Sequence, residues 1–543
     1  MFKNKVIYQI YPKSFADSNH DGLGDLQGII QHLDYLQYLG IDYIWMTPFF
    51  VSPQNDNGYD VENYYEIDPR FGTMADLDEL VKQAKKRNIG LMFDMVFNHT
   101  STNHEWFQKA LAGNQKYKDY YFFKKPVEGK MPTNWESKFG GPVWEYVEKF
   151  DEYYLHLFDK TQADLNWENP EVRNELAKIL NFWINKGIKG FRFDVINLIS
   201  KDAFENDFDG IGKRFYTDGS KVNEYLHELN QKTFGRFQDI VTVGEMSATT
   251  IDNCANYTNP AHKELDMTFN FHHLKVDYKN KEKWTVMPFD FKELKQLFHS
   301  WQLGMQEKKG WNALFWNCHD QPRSVSRFGN DKNYHSLSAK MLATAIHLQR
   351  GTPYIYQGEE IGMTNAYFTD INQYRDIESI NYYHILKKQG KTENEIHNIL
   401  QAKSRDNART PMQWNEHGGF STVTPWIEMN PNYKTINVED QINDSNSILQ
   451  YYRQLIQLRK QYKIISEGIY LPYLEDHPEI FAYKRQYQSE ELIIINHFYD
   501  TETTIEMNDI NNYEVILHNY PAYQLENPLK IRPYESLVLY KKQ

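Results

Sequence analysis

Gly190-Phe-Arg-Phe-Asp194, Val243-Gly-Glu245-Met246 and Asn317-Cys-His319-Asp320 each set one carboxylate at the end of a run of apolar and β-branched residues. Such runs read as buried strands, and helical sequence separates each from the next. The acids' own runs span 190–195, 240–244 and 313–316, and runs of the same kind recur at 6–11, 43–48, 90–97, 267–271 and 353–356. Eight strands in βα alternation predict an α/β fold, a closed (β/α)8 TIM barrel rather than an open sheet. In such a barrel, side chains at the C-terminal ends of different strands meet on one face and carry the chemistry.

The stretches between the runs fit this frame. Leu77-Asp-Glu-Leu-Val-Lys-Gln-Ala-Lys-Lys-Arg has helical periodicity, and Ile29, Leu33, Leu36 and Leu39 give the first helix its apolar face. The gap from about 100 to 169 is too long for a simple connection and reads as an inserted subdomain. A second insertion, about 362–426, follows the eighth strand. After a helix over 447–462 the pattern turns to short strands, such as Ile480-Phe-Ala-Tyr-Lys484 and Leu492-Ile-Ile-Ile-Asn496. The expected division is a barrel over 1–103 and 170–465, an inserted subdomain over 104–169 and a C-terminal antiparallel β-sandwich over 466–543.

Composition narrows the function. With 543 residues the chain exceeds a single core, and its net charge of −13 disfavours nucleic acid and anionic membranes as partners. Cys254 and Cys318 are too few for a disulfide scaffold. The opening Met1-Phe-Lys-Asn-Lys-Val-Ile-Tyr-Gln-Ile-Tyr has no long apolar stretch, and no segment approaches a membrane span. These features lead us to expect a cytoplasmic protein, a monomer or weak homo-oligomer, acting on a small molecule. Aromatics make up 15% of the chain, with 39 Tyr and 12 Trp, which suits a substrate with flat apolar sugar faces as well as core packing.

The three acids match one reaction type. Cleaving a glycosidic bond with retention needs a carboxylate that attacks the anomeric carbon and a carboxylic acid that protonates the leaving oxygen, about 5 Å apart. A third acid can stabilise the oxocarbenium-like transition state. Arg192 lies two residues from Asp194 on the same strand face, where it can keep that carboxylate ionised. Glu245, between Gly244 and Met246, is placed for modest desolvation to raise its pKa toward that of a working acid.

Longer motifs bring in a resemblance. The chain resembles the α-amylase superfamily, glycoside hydrolase family 13, in its oligo-1,6-glucosidase-like branch. Asp94-Met-Val-Phe-Asn-His99, Gly190–Asp194, Gly244-Glu245 and His319-Asp320 match the family's four conserved segments in order. Thr161-Gln-Ala-Asp-Leu-Asn-Trp167, Asn57-Gly-Tyr-Asp60 and Arg405-Asp-Asn-Ala-Arg-Thr-Pro-Met-Gln-Trp414 match the branch. The resemblance implies Asp194 as nucleophile, Glu245 as acid/base and Asp320 as transition-state stabiliser. Asp60, His99, Arg192, His319 and Arg409 would then surround the glucose in subsite −1. It also implies an arginine partner for Asp60, either Arg409 or Arg405, with Arg409 preferred. No cofactor is implied for catalysis.

Asp17-Ser-Asn19-His-Asp21-Gly-Leu23-Gly-Asp25 spaces oxygen donors at alternate positions around Gly22, as in the first half of an EF-hand loop. By itself this is an Asp/Asn-rich turn. The resemblance favours a structural Ca2+ or Mg2+ held by Asp17, Asn19, Asp21, Leu23 and Asp25.

Val195, directly after the nucleophile, resembles branch members that accept α-1,6 linkages or trehalose 6-phosphate. Met267-Thr-Phe-Asn-Phe-His-His273-Leu-Lys275-Val-Asp-Tyr-Lys279-Asn-Lys281-Glu-Lys283-Trp284 carries four lysines beyond the sixth strand. In a net-negative protein such a run can supply the positive charge that a sugar phosphate needs. His-His-Leu-Lys-Val-Asp-Tyr and Gly244-Glu-Met-Ser-Ala-Thr-Thr250 resemble the members that hydrolyse trehalose 6-phosphate, although Lys279-Asn280-Lys281 departs from their pattern. The implied activity is retaining hydrolysis of α,α-trehalose 6-phosphate to glucose and glucose 6-phosphate, with Lys275 and Lys283 on the phosphate. Hydrolysis of isomaltose-type ends is the alternative.

Overall fold

The computed structural model describes residues 2–542. All eight expected strands form: β1 (Ile7–Ile10), β2 (Tyr43–Met46), β3 (Gly90–Met95), β4 (Gly190–Phe193), β5 (Val241–Glu245), β6 (Met267–Phe269), β7 (Ala313–Leu314) and β8 (Thr352–Tyr356). They make one nearly closed barrel in the order β6-β5-β4-β3-β2-β1-β8-β7. The pairings β3/β4, β4/β5, β5/β6, β1/β8 and β7/β8 are parallel. The chain divides into two compact units, one of Trp45–Lys86 and Gly90–Phe271, the other of the residues up to Ile44, Arg87–Ile89 and His272 onward.

In the first of these units β3, β4, β5 and β6 are buried on both faces, which explains why their sequences are continuously apolar rather than alternating. Gly190 opens β4 opposite Met92, and a Cβ there would stand 2.9 Å from the Met92 Cβ, so only glycine lets these strands pair so closely. The connection from β3 to β4 ends in the helix Pro170–Asn185. Asn169 caps it, Pro170 starts it, and Val172, Leu176, Ile179, Leu180 and Trp183 form its buried stripe. The stretch inserted after β3 holds a small antiparallel sheet of Phe123–Lys124, Glu152–Leu155 and Trp144–Val147. Trp135, Trp144, Leu157 and Val195 share its apolar core. The two-stranded ladder His99–Ser101 with Gln162–Asp164 ties the start of this stretch to its end and sets His99 opposite Asp164.

In the other unit, Ile29, Leu33, Leu36 and Leu39 are all buried, as their spacing predicts. They belong to two helices, Leu26–Gln31 and Leu33–Leu39, rather than one. The break is at His32, whose Nδ1 bonds the Gly28 carbonyl at 2.8 Å. The stretch after β8 contains the helices Ile377–Lys388 and Glu393–Lys403 and the turn Asp406–Arg409. Its core is Phe368, Tyr374, Leu386, Ile396 and Leu400, with Trp284 added from the lysine-bearing loop. Beyond the helix Ile448–Gln461, which Ser447 caps, lies the antiparallel C-terminal sheet. Its strands Ile480–Tyr487 and Glu490–His497 pack Ile480, Ile493 and Ile495 against Ile505, Leu529 and Ile531 of a two-stranded ladder. No helix among the described residues is long and apolar enough to cross a membrane.

Candidate active site

Strand β4 puts Arg192 and Asp194 on one side with only Phe193 between them, because side chains alternate along a strand. The Arg192 guanidinium is buried and shared. Its Nη1 donates to Asp94 Oδ1 and to Asp194 Oδ1, both at 2.7 Å, and its Nη2 donates to Glu245 Oε2. Three carboxylates from β3, β4 and β5 are thus gathered on one cation. Burial pushes the Asp94 carboxyl upward and the Asp194 charge adds to this, while Arg192 pulls it down. Asp94 Oδ2 also accepts from Tyr59 OH at 2.9 Å and Trp45 Nε1 at 3.2 Å.

The Glu245 carboxylate, expected to be modestly desolvated between Gly244 and Met246, meets the Arg192 guanidinium directly. Directly after Asp194 the backbone of Val195 takes φ 35° and ψ 41°. A β-branched residue in the left-handed region is strained, and here the strain lies beside the strand-end acid.

Asp60 is fully buried, and burial raises its pKa. It accepts from Ser52 Oγ at 2.9 Å and from the amides of Asn55 at 2.8 Å and Asp56 at 3.2 Å. His99 Nε2 lies 3.0 Å from the Tyr59 carbonyl, and Asn98 Nδ2 lies 3.2 Å from His99 Nδ1. This pattern fixes the tautomer with the proton on Nε2, and burial lowers the ring's pKa, which favours the neutral form.

In the other unit, Gln9 Nε2 lies 2.8 Å from His319 Nδ1, and His319 Nε2 lies 3.3 Å from Asp320 Oδ2. The Tyr11 ring stacks on His319 at 6.1 Å between centroids. Asp320 Oδ1 accepts from both Arg405 Nη1 at 3.1 Å and Arg409 Nη2 at 2.9 Å. Arg409 Nε also donates to the His319 carbonyl at 2.9 Å, and Arg405 Nε to Asp376 Oδ1 at 3.0 Å. Both arginines therefore serve Asp320. Asp376 is fully buried, and although burial raises its pKa, Arg405 and Arg409 outweigh that and hold the carboxyl below the usual range. Arg409 Nη1 has no hydrogen-bond acceptor and stands 3.8 Å from Asp376 Oδ1.

The two chosen lysines differ. Lys275 is exposed, whereas Lys283 donates to Glu378 Oε2 at 2.6 Å, with its ammonium 5.0 Å from the Trp284 ring centre. Asp277, two residues from Lys275, is held by Arg327 Nε at 2.8 Å and Lys403 Nζ at 2.6 Å. Burial pushes Lys403 down to about 8.

In the Asp17–Asp25 loop, Asp17 Oδ1 accepts from the amides of Asn19 and His20, and Asp17 Oδ2 from the amide of Gly22. Asn19 Nδ2 donates to Asp21 Oδ2 at 3.2 Å, and Asp25 caps the helix Leu26–Gln31 through the Gly28 amide. Among the described residues, no three or more His, Cys, Asp or Glu are grouped so as to hold a metal ion.

Sequence reasoning missed Asp376, Glu378, Tyr59 and Asp277 as parts of these networks. Only Asp376 leaves a local signal, since Asp376-Ile-Glu-Ser379 is a helix N-terminus and Asp376 does cap it.

The model of the alpha amylase catalytic domain matches residues 9–468, and that of the alpha-amylase SusG C-terminal domain matches 480–538. The chain is 55% identical to a trehalose-6-phosphate hydrolase of Bacillus subtilis (strain 168), over 99% of this chain and 97% of that protein. It is 48% identical to an oligo-1,6-glucosidase of Bacillus cereus, over 99% of this chain and 98% of that protein. Among solved structures, the trehalose-6-phosphate hydrolase of Bacillus licheniformis superposes with a TM-score of 0.96 at 53% identity, covering all of both chains.

Proposed function

The chain belongs to the α-amylase family, and on that premise we propose that it is a retaining α-glucosidase hydrolysing α,α-trehalose 6-phosphate to glucose and glucose 6-phosphate. The observation that carries the reaction type is the shared Arg192 guanidinium. Asp194 and Glu245 accept from its two terminal nitrogens, which supports a retaining pair, for which a separation of about 5 Å is expected.

Asp194 attacks the anomeric carbon of the unphosphorylated glucose in subsite −1. Glu245 protonates the bridging oxygen as glucose 6-phosphate departs, and Asp320 stabilises the developing positive charge. Glu245 gives its proton to the leaving oxygen in the first step, and the carboxylate so formed is the base that activates water to hydrolyse the Asp194 ester in the second.

Asp60, His99, Arg192, His319 and Arg409 serve as the glucose contacts. The spare Nη1 donor of Arg409 suits a sugar hydroxyl. Lys275 and Lys283 serve the phosphate. The proposed domain division is 1–103 with 170–465 for the barrel, 104–169 for the inserted subdomain and 466–543 for the C-terminal β-sandwich.

No cofactor takes part in the reaction. A structural Ca2+ or Mg2+ would be held by Asp17, Asn19, Asp21, Leu23 and Asp25, of which Asp25 also caps the adjacent helix. It would brace the loop and leave the chemistry untouched. A cytoplasmic setting fits a phosphorylated sugar, which arrives there through phosphorylating uptake.

The 48% identity to an oligo-1,6-glucosidase keeps a second reading open, with the same acids acting on isomaltose-type ends. Glucose release from trehalose 6-phosphate, trehalose and isomaltose in parallel decides between them. The first reading expects strong preference for the phosphorylated sugar, and preference for isomaltose overturns it.

A further inference from the structure

The first turn of one helix, Ile377–Lys388, connects the lysine-bearing loop to Asp320. At its N-cap, Asp376 accepts from Arg405, and Arg405 in turn donates to Asp320. Two residues on, Glu378 Oε2 takes the Lys283 ammonium at 2.6 Å and stands 3.5 Å from Arg405 Nε. One turn further, Tyr382 stacks on Trp284 at 4.8 Å and 18° between planes. Lys283 and Trp284 are thus held by a carboxylate and a ring spaced i, i+4 on a single helix.

A lysine ammonium is a point charge on a flexible stem with three donors, so its usefulness to a ligand depends on what fixes its position. Glu378 takes one donor and orients the rest. The Lys283 side chain is 23% exposed, so the ammonium is anchored yet reachable. The pair is largely buried, with 23% and 12% of the two side chains exposed, so Glu378 both compensates the ammonium and fixes where the charge stands.

We propose that Glu378 is a positioning residue for the leaving-group sugar, aiming Lys283 at the phosphate of trehalose 6-phosphate. This rests on the proposed reading of Lys283 as a phosphate contact. Glu378 touches no substrate in this role; it acts through Lys283. The carboxylate bears the same sign as the ligand, so it also prevents the site from carrying an uncompensated buried charge when no ligand is bound.

The test compares kcat/KM for trehalose 6-phosphate with kcat/KM for 4-nitrophenyl α-glucoside, whose leaving group has no phosphate. Glu378→Ala should lower the ratio of the first to the second at least tenfold, mainly through a higher KM for the phosphorylated sugar. Glu378→Gln, which keeps an acceptor at the same place, should recover part of the ratio. Lys283→Met should lower the ratio by itself, and adding Glu378→Ala to it should change the ratio no further.

Equal losses on both substrates for Glu378→Ala would reduce Glu378 to a structural element of the helix start. A rise in the ratio would make it a competitor for Lys283, and either result overturns the proposal. If Lys283→Met leaves the ratio unchanged, the phosphate reading of Lys283 itself falls, which is a separate failure from Glu378 missing its role beside a selective Lys283.

Discussion

Arg192 Nη1 lies 2.7 Å from Asp194 Oδ1, with Arg192 near the end of β4 and Asp194 the first residue beyond it. The proposed nucleophile and its counter-cation come from the same short stretch, and the Asp194 amide bonds the Met95 carbonyl of β3 at 3.0 Å.

The roles of the two acids on that cation can be separated by stereochemistry. With azide as external nucleophile, Glu245→Ala should form α-glucosyl azide, because Asp194 still builds the glycosyl-enzyme and azide replaces the water that Glu245 no longer activates. Asp194→Ala should form β-glucosyl azide by a single inverting displacement. In its own right Asp194→Asn should abolish turnover with the melting temperature nearly unchanged. Product NMR settles the first two, and identical anomers from both variants would refute the assignment.

Lys275 is exposed, so its replacement should cost charge rather than packing. We expect Lys275→Ala to weaken use of trehalose 6-phosphate roughly tenfold, with a smaller effect at high ionic strength, where a solvent-facing charge is screened. Use of the aryl glucoside should change far less. Parallel losses would assign Lys275 a structural task.

Divalent cations give a third check. Adding Ca2+ or Mg2+ after chelation should raise the melting temperature and leave kcat on the aryl glucoside where it was. Asp17→Asn and Asp21→Asn should each suppress the rise. A melting point indifferent to metal would make the Asp17–Asp25 loop an ordinary turn held by its own amides.

A pH effect follows from His273, which is buried, bonds the Phe315 carbonyl at 2.9 Å and is pushed down to about 4 by burial. The unfolded chain takes up this proton near pH 6.5, the folded one only near 4. Lowering the pH through that window therefore withdraws stability, by roughly 1.4 kcal/mol per pH unit. His273→Gln lacks the effect. It should melt below the parent at pH 7 and close most of the gap by pH 5, whereas a gap that widens on acidification would mean the imidazole is already charged in the fold.

The strand-end acids were legible because a strand, its apolar run and its terminal carboxylate are all local. Arg192 beside Asp194 was legible for the same reason. The sharing of Arg192 with Asp94 and Glu245 was not, since it depends on three strands pairing in register. The sequence preferred Arg409 over Arg405 as partner of Asp60 and gave no sign that both arginines donate to Asp320. Glu378 had no local mark at all: its two cations come from residues 283 and 405, and only the tertiary fold brings them together. The split of the first helix at His32 was hidden because the apolar spacing runs straight across it.

One guanidinium serving three carboxylates has an electrostatic result of its own. The one positive charge is shared among three carboxylates, and burial pushes Asp94 toward its protonated form, so no acid holds Arg192 to itself. Each acid is oriented by the cation without being silenced by it. A carboxylate locked in a private ion pair would be a poor nucleophile, and a neutral patch would do little for an incipient carbocation. Here Asp194 shares its cation and keeps lone pairs to offer where the anomeric carbon becomes electron-poor.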